Sequence, residues 1–172
     1  MQMGEFLTPR LLIRPTRESD GAACLDIWLD GEMGRYLADP PRDRADEAEL
    51  NFAVGIERDE GWYPMVMIHR ESGDFLGTCS VVPTEDGACW DLGYAVHRRY
   101  WRQDYGTEAL IRLIEAGRAR GVRTFTAAVA RENVASNALL RKLGFRVWKN
   151  DGTFRKRGTD IVYQELIYRL EV

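Results

Sequence analysis

The residues best suited to chemistry in this sequence lie in two segments that each join a predicted strand to a predicted helix. In the first, an apolar run over residues 92–96 leads through an aromatic and basic loop into a helix that opens at Tyr105. Such a junction gathers backbone N–H groups and the positive end of a helix dipole, so it is suited to holding a phosphate group. In the second, Asn133 and Ser136 stand at the start of a helix that ends near Gly144. Two polar side chains are therefore expected near the open end of the sheet.

The elements that must position these residues follow from hydrophobic periodicity and turn sequences. Four helices are predicted, over residues 22–29, 43–60, 105–120 and 134–143. Seven strands are predicted, over residues 10–15, 62–70, 75–83, 88–96, 122–130, 145–150 and 160–170. Because a helix separates strands 88–96 and 122–130, a right-handed crossover should make them parallel neighbours. The expected fold class is α/β, an α+β mixed sheet of about six to seven mostly antiparallel strands flanked by about four helices.

Composition and charge limit the classes of protein to which the chain can belong. At 172 residues it is expected to form a single domain over residues 1–172. The net charge of -3 gives no support to nucleic-acid binding, which usually needs a basic surface. No apolar run approaches the roughly 18 to 20 residues that span a bilayer, and the N-terminus lacks the apolar region of a signal peptide. We therefore expect a cytoplasmic protein, monomeric or homodimeric, without nucleic-acid or membrane partners.

The cysteines and histidines do not have the spacing of a metal site. Cys24, Cys79 and Cys89 form no CxxC pair, and each lies in an apolar periodic segment, so buried free thiols are the favoured interpretation. The two histidines are isolated in the sequence. No metal is expected.

Three stretches carry a family resemblance when they are taken together. They are TPRLLIRPTRESD at residues 8–20, LGYAVHRRYWRQDYGTEAL at residues 92–110 and NVASNALLRKLGF at residues 133–145. In this order they resemble the GNAT superfamily of acetyl-CoA-dependent N-acetyltransferases, in particular the branch that contains the ribosomal-protein N-terminal (alanine or serine) acetyltransferases. The resemblance implies acetyl-CoA as co-substrate. It also implies that the two parallel strands splay apart, so that acetyl-CoA enters a V-shaped gap.

The resemblance assigns two sets of backbone groups to this cofactor. The strand residues expected to pair with the pantetheine arm, as an added strand would, are Tyr94, Ala95 and Val96. The residues expected to form the pyrophosphate loop are Gln103, Asp104, Tyr105, Gly106 and Thr107. Arg98 and Arg102, with Arg99 beside them, would neutralise phosphate charge, although a solvated run of charge is an equally good interpretation of any one arginine.

Asp104 departs from the family pattern, which has glycine at this position of the loop. Aspartate tolerates the left-handed backbone conformation, so the loop shape can survive. Its charge is the larger concern, because a carboxylate close to the pyrophosphate would repel it. The alternative is that Asp104 caps the helix that follows. The sequence leaves both interpretations open.

The reaction class implied by the resemblance sets the catalytic roles. Acetyl transfer to an amine needs a base for the ammonium and an acid for the departing thiolate. Ser136 is the candidate acid, because the position at which other members of the superfamily carry a tyrosine is Leu140 here. Asp91 on the central strand is the candidate base. Asn133 would bind the cofactor or cap its helix, and a capping role is nearly as good an interpretation of Ser136.

The acceptor cannot be identified from the sequence. A peptide N-terminus and a small-molecule amine both fit a direct transfer within a ternary complex. Four aromatic residues could line an acceptor pocket, with core packing as the default for each: Trp62, Tyr63, Trp90 and Trp101. Two rival hypotheses are a catalytically weak acyl-CoA-binding or regulatory protein, suggested by Asp104 and Leu140, and an α/β domain that only mediates interactions.

Overall fold

The computed structural model describes residues 3–38 and 61–172, and in these ranges it contains one eight-stranded sheet and three α-helices. The strands are β1 (Phe6–Leu7), β2 (Leu11–Pro15), β3 (Tyr63–His69), β4 (Phe75–Thr84), β5 (Cys89–Val96), β6 (Thr124–Ala130), β7 (Arg146–Arg155) and β8 (Val162–Glu171). The helices are α1 (Gly21–Trp28), α2 (Tyr105–Arg118) and α3 (Val134–Lys142). The predicted mixed α/β fold is confirmed. All seven predicted strands form, β1 adds an eighth, and the helix predicted over 43–60 lies outside the described residues.

The sheet has the strand order β1-β2-β3-β4-β5-β6-β8-β7, and among the described strands only β5 and β6 are parallel neighbours. Their pairing is short: Cys89, Trp90 and Asp91 of β5 pair with residues 124–126 of β6. The pairing of the two strands ends at Asp91 and residue 126. Beyond it, β5 stays paired with β4 as far as Val96, while β6 stays paired with β8 as far as Ala130. Each strand therefore follows its outer neighbour, and the expected splay is confirmed.

The core on one face of the sheet holds α2 against β5 and β6. Trp90 and Phe125 are almost fully buried there and meet edge to face, with ring centroids 6.3 Å apart. A Cβ added at Gly117 would lie 2.7 Å from the Phe125 ring. Glycine at this position therefore lets α2 approach the strands closely, which fixes where its N-terminus lies at the end of β5.

The opposite face of the sheet carries α1. Cys24, Leu25 and Leu29 pack there against Val66 of β3. The Trp28 indole N–H donates a hydrogen bond to the Thr78 hydroxyl, at 3.2 Å. The sheet therefore separates a side formed by α2 and α3 from a side formed by α1. None of the helices within residues 3–38 and 61–172 combines the length and apolar character needed to cross a membrane.

Candidate active site

The gap between β5 and β6 is bordered by backbone edges that neither strand uses to pair with the other. The His97 N–H donates to the Leu76 carbonyl at 2.8 Å, and the Ala95 carbonyl faces Gly77, so these groups point towards β4. Because backbone groups alternate along a strand, those of Tyr94 and Val96 point into the gap. The prediction for Ala95 is therefore wrong: its amide and carbonyl lie on the β4 side, where the strand pairing fixes them.

Val96 borders the gap, but its carbonyl oxygen already has a donor. The Trp101 indole N–H donates to this oxygen at 2.6 Å. The indole itself is 42% exposed, so it covers the end of the strand from outside. One lone pair of this oxygen is therefore occupied, and a ligand amide that pairs with the Val96 carbonyl would share the oxygen with the indole or displace it.

A pair of hydroxyl groups bridges the two sides of the gap. Tyr94 Oη on β5 and Ser136 Oγ on α3, the helix that follows β6, are 2.5 Å apart. Burial raises the pKa of Tyr94 to about 12, although the hydrogen bond to Ser136 acts in the opposite direction. The phenol is therefore protonated at neutral pH and can donate to Ser136. The Tyr94 side chain is a functional candidate that the sequence analysis missed, although a tyrosine on a buried strand face needs a polar partner.

Asn133 occupies the N-cap position of α3. Its side-chain oxygen accepts a hydrogen bond from the Ser136 backbone N–H at 3.2 Å. Of the two roles considered for Asn133, the structure therefore supports the cap, which fixes the first turn of α3 and with it the position of the Ser136 hydroxyl. Leu140, at the position where other members of the superfamily carry tyrosine, is 1% exposed and belongs to the core.

Asp91 lies at the closed end of the gap, in the last residue pair that joins β5 to β6. Its carboxylate accepts a hydrogen bond from the Thr126 hydroxyl at 2.6 Å. Burial raises the pKa of Asp91, and the bond from Thr126 opposes this. Since side chains alternate along a strand, Asp91 projects from the α1 face and Tyr94 from the other face. The candidate base and the candidate acid thus approach the gap from opposite sides of the sheet.

Asp104 adopts the left-handed conformation that its position requires, with φ of 60° and ψ of 17°. It stands at the N-cap of α2, but its side chain makes no capping hydrogen bond, so the expectation that its carboxylate caps the helix is wrong. The carboxylate instead accepts from Lys142 Nζ at 3.1 Å, and this ion pair joins the loop to the end of α3. Lys142 was not a sequence-based candidate, because a lysine in the last turn of a helix is ordinary.

The first turn of α2 leaves backbone donors available, as predicted for a phosphate site. The first N–H with an acceptor inside the helix is that of Glu108, which donates to the Asp104 carbonyl at 3.0 Å. The backbone N–H groups of Tyr105, Gly106 and Thr107 come before this first bond and have no carbonyl acceptor within the helix. A Cβ added at Gly106 would lie 3.3 Å from Leu139 and 3.4 Å from the Tyr94 ring, so glycine allows the close approach of α2 to β5 and α3.

The remaining loop residues are exposed and differ in their contacts. The backbone carbonyl of Gln103 accepts a hydrogen bond from Arg10 Nη2 at 2.9 Å. Arg98 forms an ion pair with Glu32 at 3.3 Å. Arg102 has a positive φ of 61° and makes no ion pair within the two described ranges. Of the two arginines predicted to meet phosphate groups, Arg98 is therefore held by a carboxylate, and Arg102 is the one without an ion-pair partner in the described ranges.

The described residues form two depressions of interest. A groove of about 510 Å³ lies between the β1–β2 turn and α2, and its lining includes Asp104, Thr107 and Lys142. A pocket of about 350 Å³ lies on the α1 face, and Gly93, Tyr94 and Ala95 form one of its walls. Of the four aromatic residues considered for an acceptor pocket, Trp62 lines this one, Trp90 and Tyr63 pack in the core, and Trp101 covers the end of β5.

No group of three or more His, Cys, Asp and Glu side chains that could hold a metal ion occurs in the described parts of the chain. The three cysteines are buried and free. The described groups that border the gap are hydroxyl, carboxylate and backbone amide groups.

Comparison with known proteins agrees with this geometry. The family model described as "Acetyltransferase (GNAT) domain" matches residues 10–146. The uncharacterized N-acetyltransferase p20 of Bacillus licheniformis is 24% identical over 151 residues, which is 84% of this chain and 83% of the relative. A GNAT-family acetyltransferase from Bacillus anthracis superposes with a TM-score of 0.82 at 19% identity, covering 97% of this chain and 98% of the other. The ribosomal L7/L12 alpha-N-protein acetyltransferase RimL in complex with coenzyme A superposes with a TM-score of 0.77 at 18% identity, covering 98% of each chain.

Proposed function

The chain belongs to the GNAT acetyltransferase family, whose reaction is acetyl transfer from acetyl-CoA, and from this premise we propose that it acetylates a primary amine directly in a ternary complex. The observation that carries the proposal is the gap between β5 and β6, with the Tyr94–Ser136 hydroxyl pair on one face and Asp91 on the other. All described strands belong to one sheet, which supports a single domain over residues 1–172.

The residues around the gap fit acetyl-CoA, which supplies the acetyl thioester when it is bound. The amides of Tyr105, Gly106 and Thr107 would hold the pyrophosphate at the N-terminus of α2. The gap-facing backbone of Tyr94 would align the pantetheine arm. Arg102 and Lys142 would add positive charge beside the phosphate groups.

Two proton transfers follow from the positions of the side chains. Asp91 would accept the proton of the acceptor ammonium, and its raised pKa makes it a stronger base than an ordinary aspartate. Ser136 would donate the proton that the departing sulfur needs, and the Tyr94 phenol would resupply Ser136 through their shared hydrogen bond. Since the two groups lie on opposite faces, one proton leaves on the acceptor side while the other arrives on the cofactor side.

The acceptor is either a peptide N-terminus or a small-molecule amine. The structural similarity to the ribosomal L7/L12 alpha-N-protein acetyltransferase supports a peptide N-terminus. The pocket beside Gly93 has a volume of about 350 Å³, so it is compatible with any acceptor whose amine-bearing end fits this space.

The rival function is acyl-CoA binding without turnover, which the charge of Asp104 in the loop favours. Calorimetry with acetyl-CoA, followed by CoA release against a panel of amines and short peptides, separates the two. We expect micromolar binding and CoA release that depends on the acceptor. Binding without release on any amine would favour the rival, and the absence of binding would overturn both.

A further inference from the structure

The pocket on the α1 face lies where an acceptor of the proposed reaction would bind, beside the part of β5 that borders the gap. One wall is formed by Ser80 of β4 and by Gly93 and Ala95 of β5, in the stretch where β5 is paired with β4 but no longer with β6. Its walls include two tryptophans, Trp28 from α1 and Trp62 just before β3. The pocket therefore lies beside the gap and is lined by two indole side chains.

The described lining carries no charged side chain. Its members within residues 3–38 and 61–172 are Thr16, Trp28, Leu37, Ala38, Trp62, Pro64, Met65, Thr78, Cys79, Ser80, Gly93, Tyr94 and Ala95. Burial raises the pKa of the Cys79 thiol to about 12, so it stays neutral. A second cationic group on an acceptor would lose its hydration here without gaining a carboxylate from these residues.

The polar groups of this lining are not equivalent. The Thr78 hydroxyl accepts from the Trp28 indole, which fixes that ring. The Ser80 hydroxyl has no hydrogen-bond partner among the side chains and backbone that the structure describes, and it faces Gly93, where an added Cβ would lie 2.6 Å away. Glycine at position 93 thus keeps the Ser80 hydroxyl open to the pocket.

We propose, on the basis of the function proposed above, that the acceptor is a primary amine attached to a neutral aromatic group that enters this pocket, with Ser80 contacting a polar atom on the ring. The ring lies between Trp28 and Trp62, and the amine reaches the gap on the side of Asp91. The source is either a free arylalkylamine or a peptide whose first residue is aromatic, because both present the same chemistry.

The test measures kcat/KM for CoA release with tyramine, phenethylamine, spermidine, and two tetrapeptides that differ only in a first residue of tyrosine or lysine. We expect the aromatic members of the panel to exceed spermidine and the lysine peptide by at least about tenfold. Comparison of tyramine with the tyrosine peptide distinguishes the two sources. Trp62→Ala should lower kcat/KM for tyramine by about tenfold or more while KM for acetyl-CoA stays within about twofold.

Two further variants make the test independent of folding defects. Trp148→Ala removes a tryptophan that is 48% exposed on β7, outside the pocket, and should leave all rates unchanged. The wild type should prefer tyramine to phenethylamine because of the ring hydroxyl, and Ser80→Ala should lower kcat/KM for tyramine more than for phenethylamine, so that this preference is lost. Faster acetylation of spermidine or the lysine peptide would overturn the inference and leave the proposed function standing. No release with any acceptor would overturn the proposed function and the inference with it.

Discussion

Ser136 is the residue whose removal should separate chemistry from binding. Its hydroxyl is bonded to Tyr94, and its backbone is held by Asn133. We predict that Ser136→Ala lowers kcat by at least about tenfold while acetyl-CoA affinity stays within a few-fold, because an acid acts in the transition state more than in binding. Tyr94→Phe should lower kcat in the same direction. The measurements are steady-state kinetics and calorimetry on each variant.

Ser19→Ala is the matched control for this prediction, since Ser19 is exposed in the turn before α1. Its kinetics should match those of the wild type. Unchanged turnover in Ser136→Ala would remove Ser136 from the mechanism, and unchanged turnover in Tyr94→Phe alone would leave Ser136 without the proposed proton supply.

Asp104 is the second residue at which binding can be tested. Its side chain and that of Lys142 are 68% and 62% exposed, so their ion pair adds little to stability. We predict that Asp104→Gly tightens acetyl-CoA binding by roughly three- to tenfold, because it removes a negative charge from the loop and releases Lys142. The unfolding temperature should stay constant or rise slightly, since glycine adopts a φ of 60° without strain.

Asp104→Asn is the control that separates charge from backbone conformation, because asparagine also tolerates the left-handed region. It should reproduce most of the gain in affinity, and the gain should shrink as salt is raised. Weaker binding in both variants would mean that the ion pair holds the loop in its productive shape.

At the scale of elements, Glu108 joins α2 to the β1–β2 turn. Its carboxylate accepts from the Thr8 hydroxyl at 2.5 Å, from the Arg10 backbone N–H at 2.9 Å and from Arg10 Nε at 2.7 Å. These contacts span about a hundred residues of sequence. They fix the N-terminal half of α2, and therefore the loop amides, relative to the sheet.

We predict that Glu108→Ala lowers the free energy of unfolding by about 2 kcal/mol, because hydrogen bonds to a charged group are lost and their donors are left unpaired. That loss corresponds to a fall of about 4 to 8 °C in the unfolding temperature. Glu115→Ala, on the same helix, is the control, since the Glu115 side chain is 60% exposed and its ion pair within the described ranges is a 3.9 Å contact with Arg112. An unchanged unfolding temperature in Glu108→Ala would show that the hydrogen bonds between Glu108 and the β1–β2 turn contribute no stability.

The pH dependence of this difference has a defined sign. Burial would raise the pKa of Glu108, but the hydrogen bonds from Thr8 and Arg10 outweigh it and hold the pKa below its ordinary value of 4.5. The stabilisation is therefore complete above about pH 4.5 and is lost as the pH falls through the lower folded value. Unfolding curves of the wild type and Glu108→Ala should converge in acid, whereas a constant difference would contradict the assignment.

At the scale of the whole molecule, the cysteines bear on the transfer mechanism. Cys24, Cys79 and Cys89 are at most 3% exposed, and burial raises the pKa of Cys24 and Cys79 to about 12. A thiol acts as a nucleophile only as thiolate, so Cys24 and Cys79 are not suited to carry an acetyl group, and Cys89 is too buried for a substrate to reach it.

We predict that iodoacetamide leaves the native protein unmodified and labels all three cysteines after denaturation. Intact mass after incubation with acetyl-CoA alone should be unchanged. Initial rates with varied acetyl-CoA and amine should give intersecting lines, as a ternary complex requires. Parallel lines together with an acetylated cysteine would instead indicate a covalent intermediate.

Features that depend on local chemistry could be predicted from the sequence. Hydrophobic periodicity located the three described helices and seven of the eight described strands, missing only the two-residue β1, and the strand–loop–helix junction before Tyr105 indicated a helix start with available amides. The left-handed backbone at Asp104 was also predictable, because few residues other than glycine tolerate it. Three motifs in order were enough for the family, which the match over residues 10–146 confirms.

Only the tertiary structure decided which side chains meet. The Tyr94–Ser136 bond joins residues 42 positions apart, and the Asp104–Lys142 pair joins residues 38 apart. The backbone groups of Ala95 point towards β4, and those of Tyr94 point into the gap. This arrangement depends on the register of β5 against β4, which the composition of β5 does not specify. Periodicity assigns a residue to an element and a face, but contacts across the gap and the neutral lining of the pocket arise only when distant elements pack together.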